Sequence, residues 1–238
     1  MTDFRARLGV IVLSTSLTVE NEFRRMIPCD VSFHVARCLI PDTATSEREK
    51  EEQFLKIEQN VVDAATQVAM VRPDLILFAC TIGSMLGQPG QDVAISERIT
   101  TATGVPSITT GTAVLDALRS LGLRRIILIS PYPEGMGTRE KHYLEASLPG
   151  ISVVSMKNLG VIGSYEKNLL PPLSAYRTAK ETVTPVADGI FISCTAWRTM
   201  EIIEPLETEL GVPVVTSTQA SLWACLRRCG IRDALPFG

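Results

Sequence analysis

Short apolar runs along the chain alternate with longer segments in which apolar and polar residues recur with helical spacing. The apolar runs are rich in isoleucine and valine and lack polar alternation, which is typical of parallel strands buried on both faces. They lie at 8–13, 75–79, 125–130, 151–156, 189–193 and 212–217, and the helical segments lie at 48–70, 110–121, 138–147 and 218–228. Strands that alternate with helices predict an α/β fold.

One of these strands occurs twice. The stretch DLILFACT starts at Asp74 and DGIFISCT starts at Asp188, and in both the cysteine follows the aspartate by six residues. Each copy continues through a helical segment, a Gly-Val-Pro triplet, a second strand, a Thr/Ser-rich turn and an amphipathic helix. A repeat of about a hundred residues suits two homologous half-domains. We therefore predict two pseudo-symmetric Rossmann-like halves, each a mostly parallel sheet flanked by helices, with the active site in the cleft between them.

The predicted halves are residues 1–118, which carry Cys80, and residues 119–238, which carry Cys194. The C-terminal helix, in 218–238, could pack back on the first half. Facing halves would bring both strand ends to one cleft, where open α/β sheets bind ligands. A single cysteine there is ordinarily a small core residue, but packing does not explain a repeated Cys-Thr pair at a turn. Free N–H groups at a helix start lower a thiol pKa and can hold a carboxylate oxygen, so we predict two opposed catalytic thiols.

Composition narrows the possible partners. The 238 residues are 45% hydrophobic, enough for a sizeable core, and the net charge of -3 comes from scattered charges of both signs. No basic stripe suits nucleic acid or an anionic membrane, and no apolar run has the roughly 18 residues of a membrane span. The start lacks a signal peptide pattern, so we expect a cytoplasmic protein. The charge run SEREKEEQ at 46–53 predicts a solvated helix start.

The spacing of the cysteines, histidines and glycines argues against a disulfide scaffold, a metal site and a nucleotide-binding loop. Six cysteines are too few for a disulfide scaffold in a chain of this length, and a reducing compartment would keep them as thiols. Cys225 and Cys229 are closely spaced, but His34 and His142 lie far from them in sequence. We predict no metal site, and the glycine spacing contains no phosphate loop.

Several stretches together resemble the Asp/Glu racemase superfamily, in its maleate isomerase and arylmalonate decarboxylase branch. They are GVIVLSTSLTVENEF, FACTIGS, GVPSITTGTAVLDALRSLG, ISPY, LGVIGSYEKNLLPP and FISCTAWRTMEIIEPLETELGVPVV, and they cover nearly the whole chain. The resemblance implies a cofactor-independent enzyme for a small carboxylate, assembled as a homo-oligomer, a dimer or a tetramer. Similarity to maleate isomerases implies that Cys80 adds to the substrate alkene and that Cys194 acts as acid and base.

The resemblance also implies a set of substrate-binding residues. They are Ser14, Ser16, Thr81, Ile82, Tyr132, Ser164, Thr195 and Ala196. N–H groups after the cysteines would bind a carboxylate, and Tyr132 matches a strand-end tyrosine of the family, although Pro-Tyr-Pro is also ordinary turn composition. Ser16 and Ser164 stand where maleate isomerases usually carry asparagine. A serine supplies one donor where asparagine supplies two, which allows a substrate other than maleate, and loop serines are also common caps.

Other functions remain open at this point. An amino-acid or hydantoin racemase would use the same two thiols as a two-base pair, and spacing does not separate proton transfer from addition. Arylmalonate decarboxylases keep only the cysteine that matches Cys194, so the presence of Cys80 weakens that alternative. A carboxylate-binding protein without activity is the non-enzyme alternative, and the retention of both cysteines argues against it.

Overall fold

The computed structural model describes residues 4–237, apart from the side chains of Glu58 and Gln59. In this part of the chain the strands form two four-stranded parallel sheets. The first sheet contains β1 (Ala6–Leu13), β2 (Val31–Cys38), β3 (Leu75–Phe78) and β4 (Ser107–Thr109), and the second contains β5 (Arg125–Ser130), β6 (Ser152–Asn158), β7 (Gly189–Ile192) and β8 (Val214–Thr216). The strand orders are β2-β1-β3-β4 and β6-β5-β7-β8, so both sheets have the same topology. The predicted α/β fold of two similar units is confirmed.

Helices flank both sheets. In chain order they are α1 (Thr18–Met26), α2 (Glu47–Leu55), α3 (Glu58–Ala69), α4 (Thr81–Met85), α5 (Gln91–Thr103), α6 (Thr110–Ser120), α7 (Glu134–Ser147), α8 (Ser164–Leu169), α9 (Pro172–Thr182), α10 (Ile203–Leu210) and α11 (Ser217–Arg228). A short 3₁₀ helix, Met200–Ile202, precedes α10. The central strands β3 and β7 are buried along their whole length, as their unbroken apolar runs predict.

The single helix predicted over 48–70 is wrong, because the chain forms two helices there. α2 ends before Lys56, and α3 packs along β1 and β2 through Val61, Ala65 and Val68. α2 turns away from that sheet, and its Phe54 reaches the space between the two halves. Both helices keep helical spacing, so periodicity alone does not show the change of direction.

The edge strand β2 was not predicted from the sequence. β2 pairs only with β1, at the edge of the first sheet, and most of its side chains are partly exposed. Its sequence, VSFHVARC, therefore carries polar residues that break the apolar run expected of a strand buried on both faces.

The C-terminal helix α11 packs against α6 and β3. Its Leu222 and Leu226 share a buried cluster with Val10 and Leu77 of the first sheet. The polypeptide therefore returns to the first sheet after completing the second. The predicted boundary between residues 118 and 119 falls within α6 and stays a prediction.

A buried carboxylate ties α1 to the second half. Glu22 accepts hydrogen bonds from the backbone N–H groups of Thr199, at 2.7 Å, and Met200, at 3.0 Å. These groups open the 3₁₀ helix that follows Cys194, so Glu22 holds the chain just beyond the second cysteine. Burial raises the pKa of Glu22, and the N–H donors oppose that rise.

We expect Glu22→Ala to destabilise the fold by about 2–3 kcal/mol, because it leaves two buried N–H groups without their acceptor. Glu20→Ala is the matched control in the same helix. Glu20 pairs with the partly exposed Arg37, and the loss of such a pair costs less than about 1 kcal/mol. Urea unfolding measures both changes, and equal losses would show that Glu22 does not hold the second half.

Candidate active site

A small cavity lies at the carboxyl ends of β1, β3, β5 and β7, between the two sheets. It is lined by Leu13, Thr15, Ser16, Phe54, Ala79, Cys80, Ile82, Tyr132, Ser164, Lys167, Cys194, Thr195 and Ala196. Its volume is about 30 Å³, room for little more than a water molecule. Both repeated cysteines therefore line one cavity, as the repeat predicts.

Cys80 lies between β3 and α4 and is buried. Burial raises the pKa of its thiol, and the backbone N–H of Gly83 opposes the rise by pointing at the sulfur. A Cβ on residue 83 would lie 2.9 Å from the Cys80 Sγ, closer than such contacts occur. Glycine at 83 thus allows the N–H to reach the thiol.

Cys194 follows β7 in a different backbone conformation. Its φ is +95°, a region that residues with a side chain rarely adopt, whereas Cys80 has an extended φ of -147°. The N–H of Cys194 donates to the Ser217 Oγ at 3.0 Å, which helps to hold this strained position.

Four groups surround the Cys194 thiol. Burial raises the pKa of Cys194, and the rise is opposed by the charge of Lys167, by the Tyr132 hydroxyl and by the N–H groups of Ala196 and Trp197. Burial also raises the pKa of Tyr132 well above its ordinary value, so Tyr132 remains a hydrogen-bond donor to the thiol. Its buried side chain is not that of a solvent-facing turn residue.

The threonines that follow the cysteines connect the two halves. The Thr81 hydroxyl donates to the Ser217 Oγ at 2.9 Å, and the Thr195 hydroxyl donates to the Ala79 carbonyl at 3.2 Å. Both hydroxyls are thus used in holding the two strand ends together. Binding of substrate by the N–H groups after the cysteines stays a prediction.

Most of the predicted binding residues line the cavity. They are Ser16, Ile82, Tyr132, Ser164, Thr195 and Ala196. Thr81 and Ser14 do not line it. The Ser14 Oγ donates to the Ile40 carbonyl at 3.1 Å and accepts from the Ile40 N–H at 3.2 Å, so its side chain joins β1 to the loop after β2.

Lys167 lines the cavity but was not predicted as a site residue. The side chain is 3% exposed, and its Nζ donates to the carbonyls of Ile162 at 2.8 Å and Gly163 at 3.0 Å. Burial lowers the pKa of Lys167 to about 8, with Cys194 opposing the shift. Its position three residues after Ser164 could have indicated that Lys167 belongs to the site, because residues three apart share a helix face.

An ion pair between Asp42 and the buried Lys50 lies at the start of α8. Asp42 accepts from the N–H groups of Ser164 and Tyr165, each at 2.8 Å, and from Lys50 Nζ at 2.7 Å. Burial opposes ionisation of Asp42, but these donors outweigh it and lower its pKa to about 2. The prediction of a solvated charge run is therefore wrong for Lys50, whose side chain is fully buried beside this carboxylate.

A second carboxyl lies behind Cys194. Glu140 on α7 is fully buried and accepts a hydrogen bond from the hydroxyl of Ser193 at 2.5 Å. Burial raises the pKa of Glu140 to about 8, and the Ser193 hydroxyl opposes this. The helical pattern around residue 140 did not predict that the carboxyl group of Glu140 is buried.

The described residues contain no cluster of three or more His, Cys, Asp or Glu side chains placed to hold a metal ion. The six cysteines, all within residues 4–237, are free thiols. Across the same residues, every helix is too short or too polar to cross a membrane.

Comparison with known proteins agrees with this geometry. A family model described as "Arylmalonate decarboxylase" matches residues 8–236. The chain belongs to the arylmalonate decarboxylase family. Within this family, the chain is 31% identical over 180 residues to the arylmalonate decarboxylase of Bordetella bronchiseptica, covering 75% of each. It is 25% identical over 240 residues to the maleate isomerase of Nocardia farcinica, covering 97% of this chain and 92% of the relative.

A solved structure of similar fold holds a reaction intermediate. It is a cysteine-to-serine mutant of the Nocardia farcinica maleate cis-trans isomerase with a covalently bound succinylcysteine intermediate. The TM-score is 0.89 at 22% identity, and the match covers 98% of this chain and 96% of that chain. At this identity the likeness supports the fold, and the branch inferred from the sequence motifs is confirmed by the family match.

We expect Gly83→Ala to destabilise the protein by about 1–3 kcal/mol, because the new methyl group overlaps the Cys80 Sγ. In a Cys80→Ala background the same change should cost less, since the overlapping sulfur is gone. Urea unfolding of the two single variants and the double variant gives the coupling energy. Gly87→Ala is the control, because its Cβ meets only the end of the flexible Gln91 side chain. A coupling near zero would contradict the proposed contact.

Proposed function

We propose that this protein is a cofactor-independent isomerase of a small dicarboxylate, acting as maleate cis-trans isomerases do. The observation that carries the proposal is the pair of buried thiols, Cys80 and Cys194, which line one cavity from equivalent positions in two sheets of equal topology. Relatives that match 97% of this chain are maleate isomerases, which supports the same reaction here.

The reaction begins with one thiolate and one thiol. An electron pair of the Cys80 sulfur forms a C–S bond with one alkene carbon, and the π electrons move into the adjacent carboxylate. The Cys194 thiol then gives its proton to the neighbouring carbon, which leaves a succinyl thioether on Cys80. The central C–C bond is now single, so it rotates.

The return steps reverse the first ones. The Cys194 thiolate removes the proton from that carbon, and the C–S bond breaks as its electron pair returns to Cys80. The product is the trans alkene, and both sulfurs recover their initial states without any added oxidant, reductant or metal. N–H groups after the cysteines and the Tyr132 hydroxyl would stabilise the charge on the carboxylates during addition.

The presence of Cys80 supports an isomerase over an arylmalonate decarboxylase. In the family that the sequence resembles, the decarboxylases keep only the cysteine that matches Cys194. The 31% identity to an arylmalonate decarboxylase nevertheless makes decarboxylation the second candidate. Arylmalonate should therefore be assayed beside maleate, with CO2 release as the measurement.

We also propose a cellular location and an oligomeric state for the enzyme. Free thiols persist in a reducing compartment, which supports the cytoplasm as its location. We also infer a homo-oligomer, a dimer or a tetramer, as the sequence resemblance implies. Light scattering coupled to size-exclusion chromatography gives the subunit number.

Cys80→Ser and Cys194→Ser should each lower kcat for maleate by about three orders of magnitude or more, because the two thiols act as a unit. The double variant should be little worse than either single one. Cys225→Ser is the matched control, since that thiol is equally buried but lies in the cluster under the first sheet. Retention of more than about a tenth of wild-type activity in either variant would remove that thiol from the mechanism.

Isomerisation and racemisation differ in the fate of the substrate. Addition tethers the substrate, so Cys194→Ser quenched with maleate should carry one substrate mass on the peptide containing Cys80. A two-base racemase forms no such adduct and places close to one solvent deuterium per turnover on the inverted carbon in D2O. Mass spectrometry of the peptide and the product decides between them, and α-deuteration without an adduct would replace the isomerase with the racemase.

A further inference from the structure

Lys167 is a buried cation on the wall of the catalytic cavity. An ammonium group has three N–H donors, and two of them go to the carbonyls of Ile162 and Gly163. The described residues provide no hydrogen-bond acceptor for the third. Burying a cation is costly unless it is compensated, so an acceptor supplied by a ligand would offset part of that cost.

Ser16 gives an independent sign of a missing ligand. Its hydroxyl is buried, lines the same cavity and has no hydrogen-bond partner among residues 4–237. Buried hydroxyls are ordinarily paired, so this orphan group also requires an acceptor or donor from outside the protein. A carboxylate has two oxygens that accept hydrogen bonds, and it can receive one from an ammonium and one from a hydroxyl.

The position of the cation is fixed by neighbouring groups. Asp42 holds the first N–H groups of α8, and Lys167 lies 5.8 Å from the centre of the Tyr132 ring. Its ammonium is thus held beside Tyr132, whose hydroxyl donates to Cys194. A carboxylate at Lys167 would be adjacent to the thiol that exchanges a proton with the substrate.

We propose that Lys167 binds one carboxylate of the substrate, together with Ser16, and makes the enzyme specific for dianionic over monoanionic substrates. This inference rests on the proposed function for the identity of the substrate. In this pocket an ammonium group binds a carboxylate more strongly than a neutral amide donor would, because charge-assisted hydrogen bonds are roughly twice as strong as neutral ones. The role assigned to Lys167 here is binding of a carboxylate.

The test uses succinate, which has two carboxylates and no alkene, so its binding does not depend on isomerisation. Isothermal titration calorimetry compares succinate with succinamate, in which one carboxylate is an amide. Wild-type protein should prefer succinate, and Lys167→Met should lower succinate affinity by about ten- to a hundredfold. The ratio of succinate to succinamate affinity should fall close to one.

Two further variants separate charge from structure. Lys167→Arg keeps the cation and should retain the preference for succinate, whereas Lys141→Met, on the outer face of α7, should change neither affinity by more than about threefold. Loss of stability in Lys167→Met is assessed by urea unfolding. The pH profile of succinate binding gives a second line of evidence.

The pH profile follows the charge of Lys167. Succinate affinity should fall as the pH rises through about 8, where Lys167 loses its proton. The other ionisable groups whose charges act on it are Cys80, Cys194, Tyr132, Lys50, Asp42 and Glu166. Lys167→Arg retains all of these groups. If the succinate affinity of that variant falls only at a pH above the wild-type transition, the wild-type transition is assigned to Lys167.

The possible results of these experiments distinguish the role of Lys167 from the proposed isomerase function. Succinate binding that depends on Lys167, without conversion of maleate, supports this inference and overturns the proposed function. Conversion of maleate with an unchanged KM in Lys167→Met supports the function and overturns the inference. Absence of measurable succinate binding by the wild-type protein, or an unchanged succinate to succinamate ratio in Lys167→Met, also overturns the inference.

Discussion

The hydroxyl of Ser217 is the point at which the two halves of the site are joined. It accepts hydrogen bonds from the Thr81 hydroxyl of the first half and from the N–H of Cys194 in the second. Ser217 is the first residue of α11, the helix that packs back on the first sheet. One oxygen therefore fixes the relative position of two strand ends and, with them, of two thiols. Reactions between opposed groups are sensitive to displacements of about 1 Å, so a small shift of this buried bond would also disturb the relative position of the thiols.

Burial sets the chemistry of the site as much as geometry does. It raises the pKa of both thiols and of Tyr132, and it lowers the pKa of Lys167. In such an environment, burial makes ionisation of a thiol unfavourable. Nearby hydrogen-bond donors and a cation offset part of that free energy. The proposed dianionic substrate would add two further charges to the same space. Lys167 would then offset part of that negative charge.

The repeat in the sequence predicted two similar parallel halves and the two cysteines, because strand ends of parallel sheets converge and a duplicated motif marks equivalent positions. Tyr132, Ser16 and Ser164 followed from resemblance to a family. Lys167 was not predicted, since it has no counterpart in the repeat and the start of its helix is held by Asp42, a loop residue more than a hundred positions away. The break between α2 and α3 was missed for a similar reason. Both errors concern contacts between distant segments, which local periodicity does not contain.

The two copies of Cys-Thr adopt different conformations, and this difference gives the thiols different surroundings. After Cys80 the chain enters α4, and Gly83 leaves room for one N–H to reach the sulfur. After Cys194, whose φ is +95°, the chain forms a turn that brings the N–H groups of Ala196 and Trp197 to the sulfur. Sites that need an acid and a base keep two similar groups in dissimilar environments. The repeated Cys-Thr pairs place two thiols in one cavity, and the different residues after each pair give those thiols unequal surroundings.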